Sequence, residues 1–344
     1  MSFRFAATLV ALAAILSGWA VPAQAVPMCH GRAATLVGTQ GRDILKGGRE
    51  DDVIVALGGN DFVKALGGTD RVCGGPGNDN MDGGRGRDLV SGMAGRDRPS
   101  GGRGWDLLLG GEGFDWFHGS YGDDMLRDTG ETSDYLVGGP GNDLLDAGPG
   151  PDRLRGGYAH FPSNDNDTLL GRGGTDTLYS VAGNDTLWGG VNDDRLSGGP
   201  GDDSINGGSG TGDTVNYYIK SYFDGGPVTV DLNAGTATGA AGTDSLSGIE
   251  NLRGSTSNDT LTGTDGANVI VGGFGSDIIL GLDGDDVIQA WAGWDSLDGG
   301  LGDDLLSGHI GNDSLDGGDG TDSLDGGQND DSCANGETVQ NCES

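Results

Sequence analysis

Written in blocks of nine from Gly38, the chain places an aspartate at the sixth position of ten successive blocks: Asp43, Asp52, Asp61, Asp70, Asp79, Asp88, Asp97, Asp106, Asp115 and Asp124. The eighth positions read Leu45, Ile54, Val63, Val72, Met81, Val90, Pro99, Leu108, Phe117 and Leu126, apolar apart from the proline. Glycines recur at positions one, two and four, as in the run Gly74-Gly75-Pro76-Gly77-Asn78-Asp79. The phase slips after Leu126, resumes with Asp143 and Asp152, breaks at an insertion over 156–166, and returns with Asp176, Asp185, Asp194 and Asp203. A last run from Gly254 carries Asp259, Asn268, Asp277, Asp286, Asp295, Asp304, Asp313, Asp322 and Asp331, with Leu261, Ile270, Ile279, Ile288, Leu297, Leu306, Leu315, Leu324 and Cys333 two places on. A fixed short period marks a stacked architecture, in which one unit cannot bury its apolar face alone. Glycine at positions one, two and four admits left-handed backbone and close approach, so the first six residues predict a tight turn. Positions seven to nine predict a short strand with its central side chain inward, stacking at about 4.8 Å per rung.

Composition narrows the partners. The chain has 53 acidic residues against 19 Lys plus Arg, a net charge of −34. Such a balance argues against nucleic acid and anionic membrane and in favour of cations. Leu, Ile, Val and Phe make up about a fifth of the chain, near the composition at which apolar burial no longer offsets ordering entropy. Carboxylates stacked about 4.8 Å apart repel by about 3–4 kcal/mol per pair at an effective dielectric near 20, so a thin core needs a counter-charge. The four histidines (His30, His118, His160, His309) are scattered, which does not suit zinc. Hard oxygen donors in number suit calcium, which takes six to eight of them in loose geometry.

The first 25 residues differ from the rest: Arg4, an apolar run and a small-residue end at Ala25 predict a secretory signal peptide. The remaining chain has no stretch long and apolar enough to predict stable membrane insertion. Four cysteines fit an oxidising compartment. They lie at the two ends of the repeat array, and an extended array would hold those ends far beyond bonding reach, so local bridges Cys29–Cys73 and Cys333–Cys342 are expected.

The G-G-x-G-x-D-x-U-x pattern over roughly 38–215 and 254–334 resembles the RTX (hemolysin-type) calcium-binding nonapeptide repeat. The resemblance implies an all-β, right-handed parallel β-roll with two blocks per turn. It implies multiple Ca2+ ions between stacked loops, held by glycine-loop carbonyls and by Asp61, Asp70, Asp79, Asp88, Asp106, Asp115, Asp124, Asp143, Asp152, Asp176, Asp185, Asp194, Asp203, Asp277, Asp286, Asp295, Asp304, Asp313, Asp322 and Asp331. Loops eighteen residues apart would pair: Asp61 with Asp79, Asp88 with Asp106, Asp185 with Asp203, and Asp277 with Asp295. Glycine is expected strictly at positions one, two and four. Asp97 shares its block with Pro99, so the loop at 74–79 is expected to have one good and one poor neighbour, and the loop at 138–143, just past a phase break, only a downstream one.

The expected organisation is a signal peptide over 1–25, an N-terminal cap over 26–37, roll tracts over 38–127, 128–215 and 254–334, a non-repeat β segment over 216–253, and a C-terminal cap over 335–344. Residues 38–127 hold 15 acids and 11 bases, whereas 254–334 hold 17 acids and no base. Either the repeats drift on a solvated face, or arginines such as Arg42, Arg87 and Arg96 partly replace calcium in the first tract. Within 216–253 the alternation Val228, Val230, Leu232 predicts a strand with a hairpin return. Its bland reading is a plug over a broken roll end, and its sharper one an aromatic ligand site built from Tyr217, Tyr218, Tyr222 and Phe223. No G-x-S-x-G, H-E-x-x-H or P-loop occurs. The expected function is a secreted, extracellular calcium-binding repeat protein, structural or adhesive and not an enzyme. The alternative is a polysaccharide-modifying or glycan-binding accessory protein that meets cell-surface or extracellular polysaccharide through 216–253.

Overall fold

A computed structural model describes residues 26–158, 164–218, 226–239 and 242–342; the expected signal peptide lies outside the described residues. Among the described residues every regular element is a strand. Successive blocks send their strands to two sheets in turn. Val53–Val55, Arg71–Pro76, Leu89–Ala94 and Leu107–Glu112 lie side by side in the first sheet, and Ile44–Lys46, Phe62–Lys64, Asn80–Gly86 and Arg98–Gly104 in the second. Pairing is parallel, with Val90 opposite Val72 on one side and Leu108 on the other, so one turn is two blocks. The result is a parallel β-roll solenoid.

The inward residue of each strand fills the space between the sheets. Ile54, Val72, Met81, Leu108, Phe117, Leu126, Leu145, Ile270, Ile288 and Leu306 are fully buried, each contributing about 1.5–3 kcal/mol of transfer free energy. The core is therefore one side chain thick and runs the length of the stack. Pro99 takes the same inward slot opposite Met81 and is buried there.

Phase slips do not interrupt the stack. Tyr135–Val137 pairs with Trp116–Tyr121 despite one extra residue, and Thr168–Gly173 pairs with Leu144–Asp146 across the insertion. The segment 216–253 contains the expected hairpin, Val228–Asp231 against Thr236–Gly239, with Val228, Val230 and Leu232 buried. It is not a plug over a broken end. Gly242–Ser247 runs parallel to Ser204–Ser209 and antiparallel to Thr236–Gly239, and Val228–Asp231 runs parallel to Thr260–Thr262, so the first sheet passes through the insertion without a gap. The second sheet skips it by pairing Thr214–Asn216 with Asn251–Arg253. Cys29 is bonded to Cys73 and Cys333 to Cys342, fastening an N-terminal hairpin and the last strand, Thr338–Gln340, to the ends of the roll.

Candidate metal centre

Each loop sits above the loop eighteen residues before it and presents its aspartate to that neighbour. The backbone N–H of Asp61 donates to Asp79 Oδ1 at 2.8 Å, that of Asp79 to Asp97 at 2.8 Å, and that of Asp97 to Asp115 at 2.8 Å. On the opposite edge the same bond joins Asp70 to Asp88, Asp88 to Asp106 and Asp106 to Asp124. Two columns of carboxylates run up the two edges of the roll. The expected pairs Asp185 with Asp203 and Asp277 with Asp295 are joined this way, and so are Asp286 with Asp304, Asp295 with Asp313, and Asp304 with Asp322.

The second oxygen carries the chemical information. Among the described residues, Oδ2 of 23 aspartates is buried with no hydrogen-bond donor in reach. They include all 20 expected ligands: Asp61, Asp70, Asp79, Asp88, Asp106, Asp115, Asp124, Asp143, Asp152, Asp176, Asp185, Asp194, Asp203, Asp277, Asp286, Asp295, Asp304, Asp313, Asp322 and Asp331. A buried carboxylate oxygen without a donor is costly, and a row of them is untenable unless something positive meets them. Backbone carbonyls converge on the same place: a Cβ added at Gly74 would lie 2.3 Å from Asp79 Oδ2 and 3.0 Å from the Gly92 carbonyl oxygen. Glycine at position one leaves a small oxygen-lined space in this loop, and Ala56, Ala65, Ala147, Ser180 and Ala290 put only a small side chain there in other loops with a bare Oδ2; such a space suits a hard cation such as calcium and no soft one.

Four loops supply the contrast. In the first loop of each column, Asp43 Oδ2 accepts the N–H of Thr39 at 2.6 Å and Asp52 Oδ2 that of Gly48 at 2.7 Å. In the first loops past 216–253, Asp259 Oδ2 accepts the Ser255 N–H at 2.6 Å and Asn268 Oδ1 that of Thr264 at 2.7 Å. These loops are closed on themselves. Interior loops instead turn position two to positive φ, as at Gly75 (+111°) and Gly84 (+107°), which carries its N–H away and leaves Oδ2 bare.

Burial raises the carboxyl groups by desolvation, against the lowering effect of the N–H each accepts. Asp79, Asp106, Asp176 and Asp295 are pushed up to about 6, Asp88, Asp97, Asp124, Asp277 and Asp286 to about 7, and Asp115, Asp152, Asp167 and Asp203 to about 8. Asp143 is pushed up to about 9. Without a cation, many of these groups would hold protons at neutral pH.

Several expectations are corrected. Asp97 is fully buried, is bonded on both sides and has a bare Oδ2, so Pro99 does not impair its loop. Asp143 also has both neighbours, receiving the Asp124 N–H at 2.7 Å and giving its own to Asp167 at 2.8 Å. None of the three positions is strictly glycine: Ala56, Ala65, Ala147, Ser180 and Ala290 stand at position one, Leu57, Leu66, Met93, Ser120, Arg172, Val181, Leu282, Trp291 and His309 all hold positive φ at position two, and Asn192 and Asn329 hold it at position four. Arg87 and Arg96 do not stand in for a metal. Their guanidinium groups lie over the rings of Trp105 (3.9 Å) and Phe114 (5.1 Å), and the ion pairs of the described residues join Arg127 and Arg172 to Asp146. The proposed aromatic site is closed at Tyr217, whose hydroxyl donates to Asp244 Oδ2 at 2.8 Å, while Tyr218 lies under Arg253; Tyr222 and Phe223 lie outside the described residues.

Counting by nines missed members of both columns. Asp134, Asp167, Asp213 and Asp244 receive N–H bonds in column positions, and Glu250 and Glu337 take the place of aspartate for Asp213 and Asp322. An acid two places before an inward apolar residue identifies all but Glu337, whose Val339 is exposed: Asp134 precedes Leu136, Asp167 Leu169, Asp213 Val215, Asp244 Leu246 and Glu250 Leu252. Comparison with curated proteins finds no match. The family model of the RTX calcium-binding nonapeptide repeat matches residues 37–72, 74–98, 100–127, 128–157, 163–187, 179–212, 244–279, 271–306 and 300–333. Stacked loops, bare carboxylate oxygens and this match agree, and the chain belongs to the family of RTX calcium-binding nonapeptide-repeat proteins.

Proposed function

We propose that this chain is a secreted calcium-binding protein that folds on binding many Ca2+ ions along both loop columns and serves a structural or adhesive role outside the cell. The carrying observation is the run of buried Oδ2 atoms with no donor, with a carbonyl of the next turn close by in loops such as those of Asp79, Asp143 and Asp304. The ligands are the aspartates of the interior loops, including Asp97, Asp134 and Asp213, with the carbonyls of the position-one residues. Bound calcium supplies the positive charge that lets the stacked carboxylates ionise. Because the site exists only when two turns are stacked, binding free energy is folding free energy. Secretion is supported by the leader-like first 25 residues and by the two disulfides. For the alternative of a glycan-active site in 216–253, the cavity that the described residues form beside Tyr217 measures about 20 Å3.

The test is a calcium titration of the full chain followed by calorimetry and far-UV circular dichroism. Many ions per chain and a gain of sheet signal over the same calcium range are expected. An unchanged spectrum between chelator and excess calcium would sink the coupling of folding to binding.

A further inference from the structure

We propose that the outward face of the second sheet, from Arg98 to Arg195, binds a carboxylate-bearing polysaccharide laid along the axis of the roll. The in-register rungs there read Arg98, Trp116, Tyr135, Arg153, Thr177 and Arg195, one per turn. With the residues two places on in each strand, these twelve positions hold four arginines, one histidine and three aromatic residues, and no acid. In a chain of 53 acids and 19 lysines and arginines, that is a segregated face. The same sheet further on presents Val269, Val287, Leu305 and Ser323, and the opposite sheet at this level presents Leu107, Met125 and Leu144.

The face has relief as well as charge. An open groove of about 720 Å3 runs beside Trp116, Tyr135, Arg153, Thr177 and Arg195; Asp134 and Asp152 of the loop columns, both buried, also line it. Trp116 and Tyr135 wall one end, their rings 5.3 Å apart and edge to face, and Trp116 is 46% exposed. Arg98 lies 5.5 Å from the Trp116 ring centre. Arg153 and Arg195 are exposed, and neither belongs to the ion pairs of the described residues, which sit on the other sheet around Asp146. Behind them the Arg155 Nε is buried with no acceptor in reach. Guanidinium groups without carboxylates of their own are complementary to carboxylates on a ligand, and they bind them in a two-pronged geometry. Tryptophan and tyrosine offer flat apolar faces with a polar rim, which suits the C–H face and hydroxyl edge of a pyranose ring.

The repeat favours a polymer over a single small molecule. Six rungs at about 4.8 Å span about 24 Å in a straight line, with cationic rungs on both sides of an aromatic pair. Nucleic acid fits less well, because it requires many phosphate contacts and meets a chain of net charge −34. An acidic oligosaccharide needs only the local face, since charges beyond the Debye length of about 8 Å are screened in physiological salt. The proposal rests on the folded roll, whichever cation completes it.

The test uses the full chain in calcium, with a hexamer of galacturonic acid as the probe and its methyl ester as an uncharged control. Calorimetry is expected to show binding of the acid, with affinity about tenfold or more lower for the ester, for the double variant R153Q/R195Q and for Trp116→Ala. Far-UV circular dichroism and calcium stoichiometry of the variants must match the parent chain. Equal affinity of parent and R153Q/R195Q, no binding of the acid hexamer, or tighter binding of a DNA oligonucleotide of equal charge would each overturn the proposal. A chain that folds without calcium yet binds the hexamer through these arginines would overturn the calcium reading alone.

Discussion

Asp97→Asn separates the two states of a loop more cleanly than any other single change. The residue is fully buried, its Oδ1 accepts the Asp79 N–H at 2.8 Å, and its Oδ2 has no donor. Asparagine keeps the acceptor and replaces the bare oxygen with an amide. Asn268 carries this amide in a closed loop, where its N–H donates to Asp286 Oδ1 at 2.7 Å and its Nδ2 to the Glu250 carbonyl at 2.6 Å. Without a cation, burial raises the Asp97 carboxyl from its ordinary 3.8 to about 7. A folded-state value above the unfolded one means the folded chain holds the proton more tightly, so stability falls as pH rises from about 4 to about 7. Above that window the ionised group costs on the order of 4 kcal/mol, at 1.36 kcal/mol per pH unit. Removing the charge at pH 8 in chelator is therefore expected to reduce local opening by up to about a thousandfold. In calcium the sign reverses, because a hard ligand has been lost. The assay is hydrogen exchange read by mass spectrometry on peptides covering 79–115, in chelator and in calcium, at pH 8 and again near pH 4. Protection should rise in chelator at pH 8, fall in calcium and be nearly unchanged in chelator near pH 4. Lower protection in both chelator and calcium would mean that Oδ2 has a neutral structural role, and the argument would fail.

The same raised carboxyls predict that calcium displaces protons: calorimetry near pH 7 in buffers of different ionisation enthalpy should show proton release, led by groups such as Asp143 (about 9) and Asp203 (about 8), and buffer-independent heats would contradict it. Gly92→Ala would put a Cβ 2.4 Å from Asp97 Oδ2 and should lower calcium stoichiometry, whereas Gly173→Ala, whose Cβ meets nothing within 4 Å, should change stoichiometry and melting little; equal effects would break the link between glycine and site. Residues 254–334, with 17 acids and no base, should lose exchange protection before residues 38–127 as calcium is withdrawn from the whole chain, and simultaneous loss would show that charge balance does not set the order.

Periodicity made the roll legible because two constraints repeat in fixed register: one carboxylate per loop and one apolar side chain per strand. It was less informative where the chain departs from nine. Pro99 suggested a damaged loop, but the damage a proline can do is confined to its own missing N–H, and Asp97 keeps both column bonds. The slip after Leu126 suggested a half-site at Asp143, yet Asp128 gathers the slack by accepting the Gly111 and Gly130 N–H groups, and the next turn lands in register. The spacing from acid to inward residue survives insertions that the loop-to-loop spacing does not, because strand and side chain are locally coupled whereas loops have room to lengthen. The splice at 216–253 was invisible for a different reason. Which neighbour Gly242–Ser247 and Val228–Asp231 choose is a long-range decision, and a strand pattern specifies its face more strongly than its partner.

The closed loops at Asp43, Asp52, Asp259 and Asn268 say why the others stay open. The same six-residue sequence has a self-sufficient form, in which position two donates its N–H to the loop's own side chain. That bond is charge-assisted for the three aspartates, yet it occurs where a column starts, or restarts past 216–253. In an interior loop, position two turns to positive φ, and a Cβ added at Gly75 would lie 1.8 Å from the Leu57 carbonyl oxygen of the turn below. Close stacking and self-capping therefore exclude each other, and each stacked turn gives up a hydrogen bond to leave one carboxylate oxygen bare. Selection against buried unsatisfied groups would have closed these loops unless the bare oxygen had a partner of its own. Repeated on both edges of the roll, the exchange makes sense for a chain that stacks only as far as cations are there to meet it.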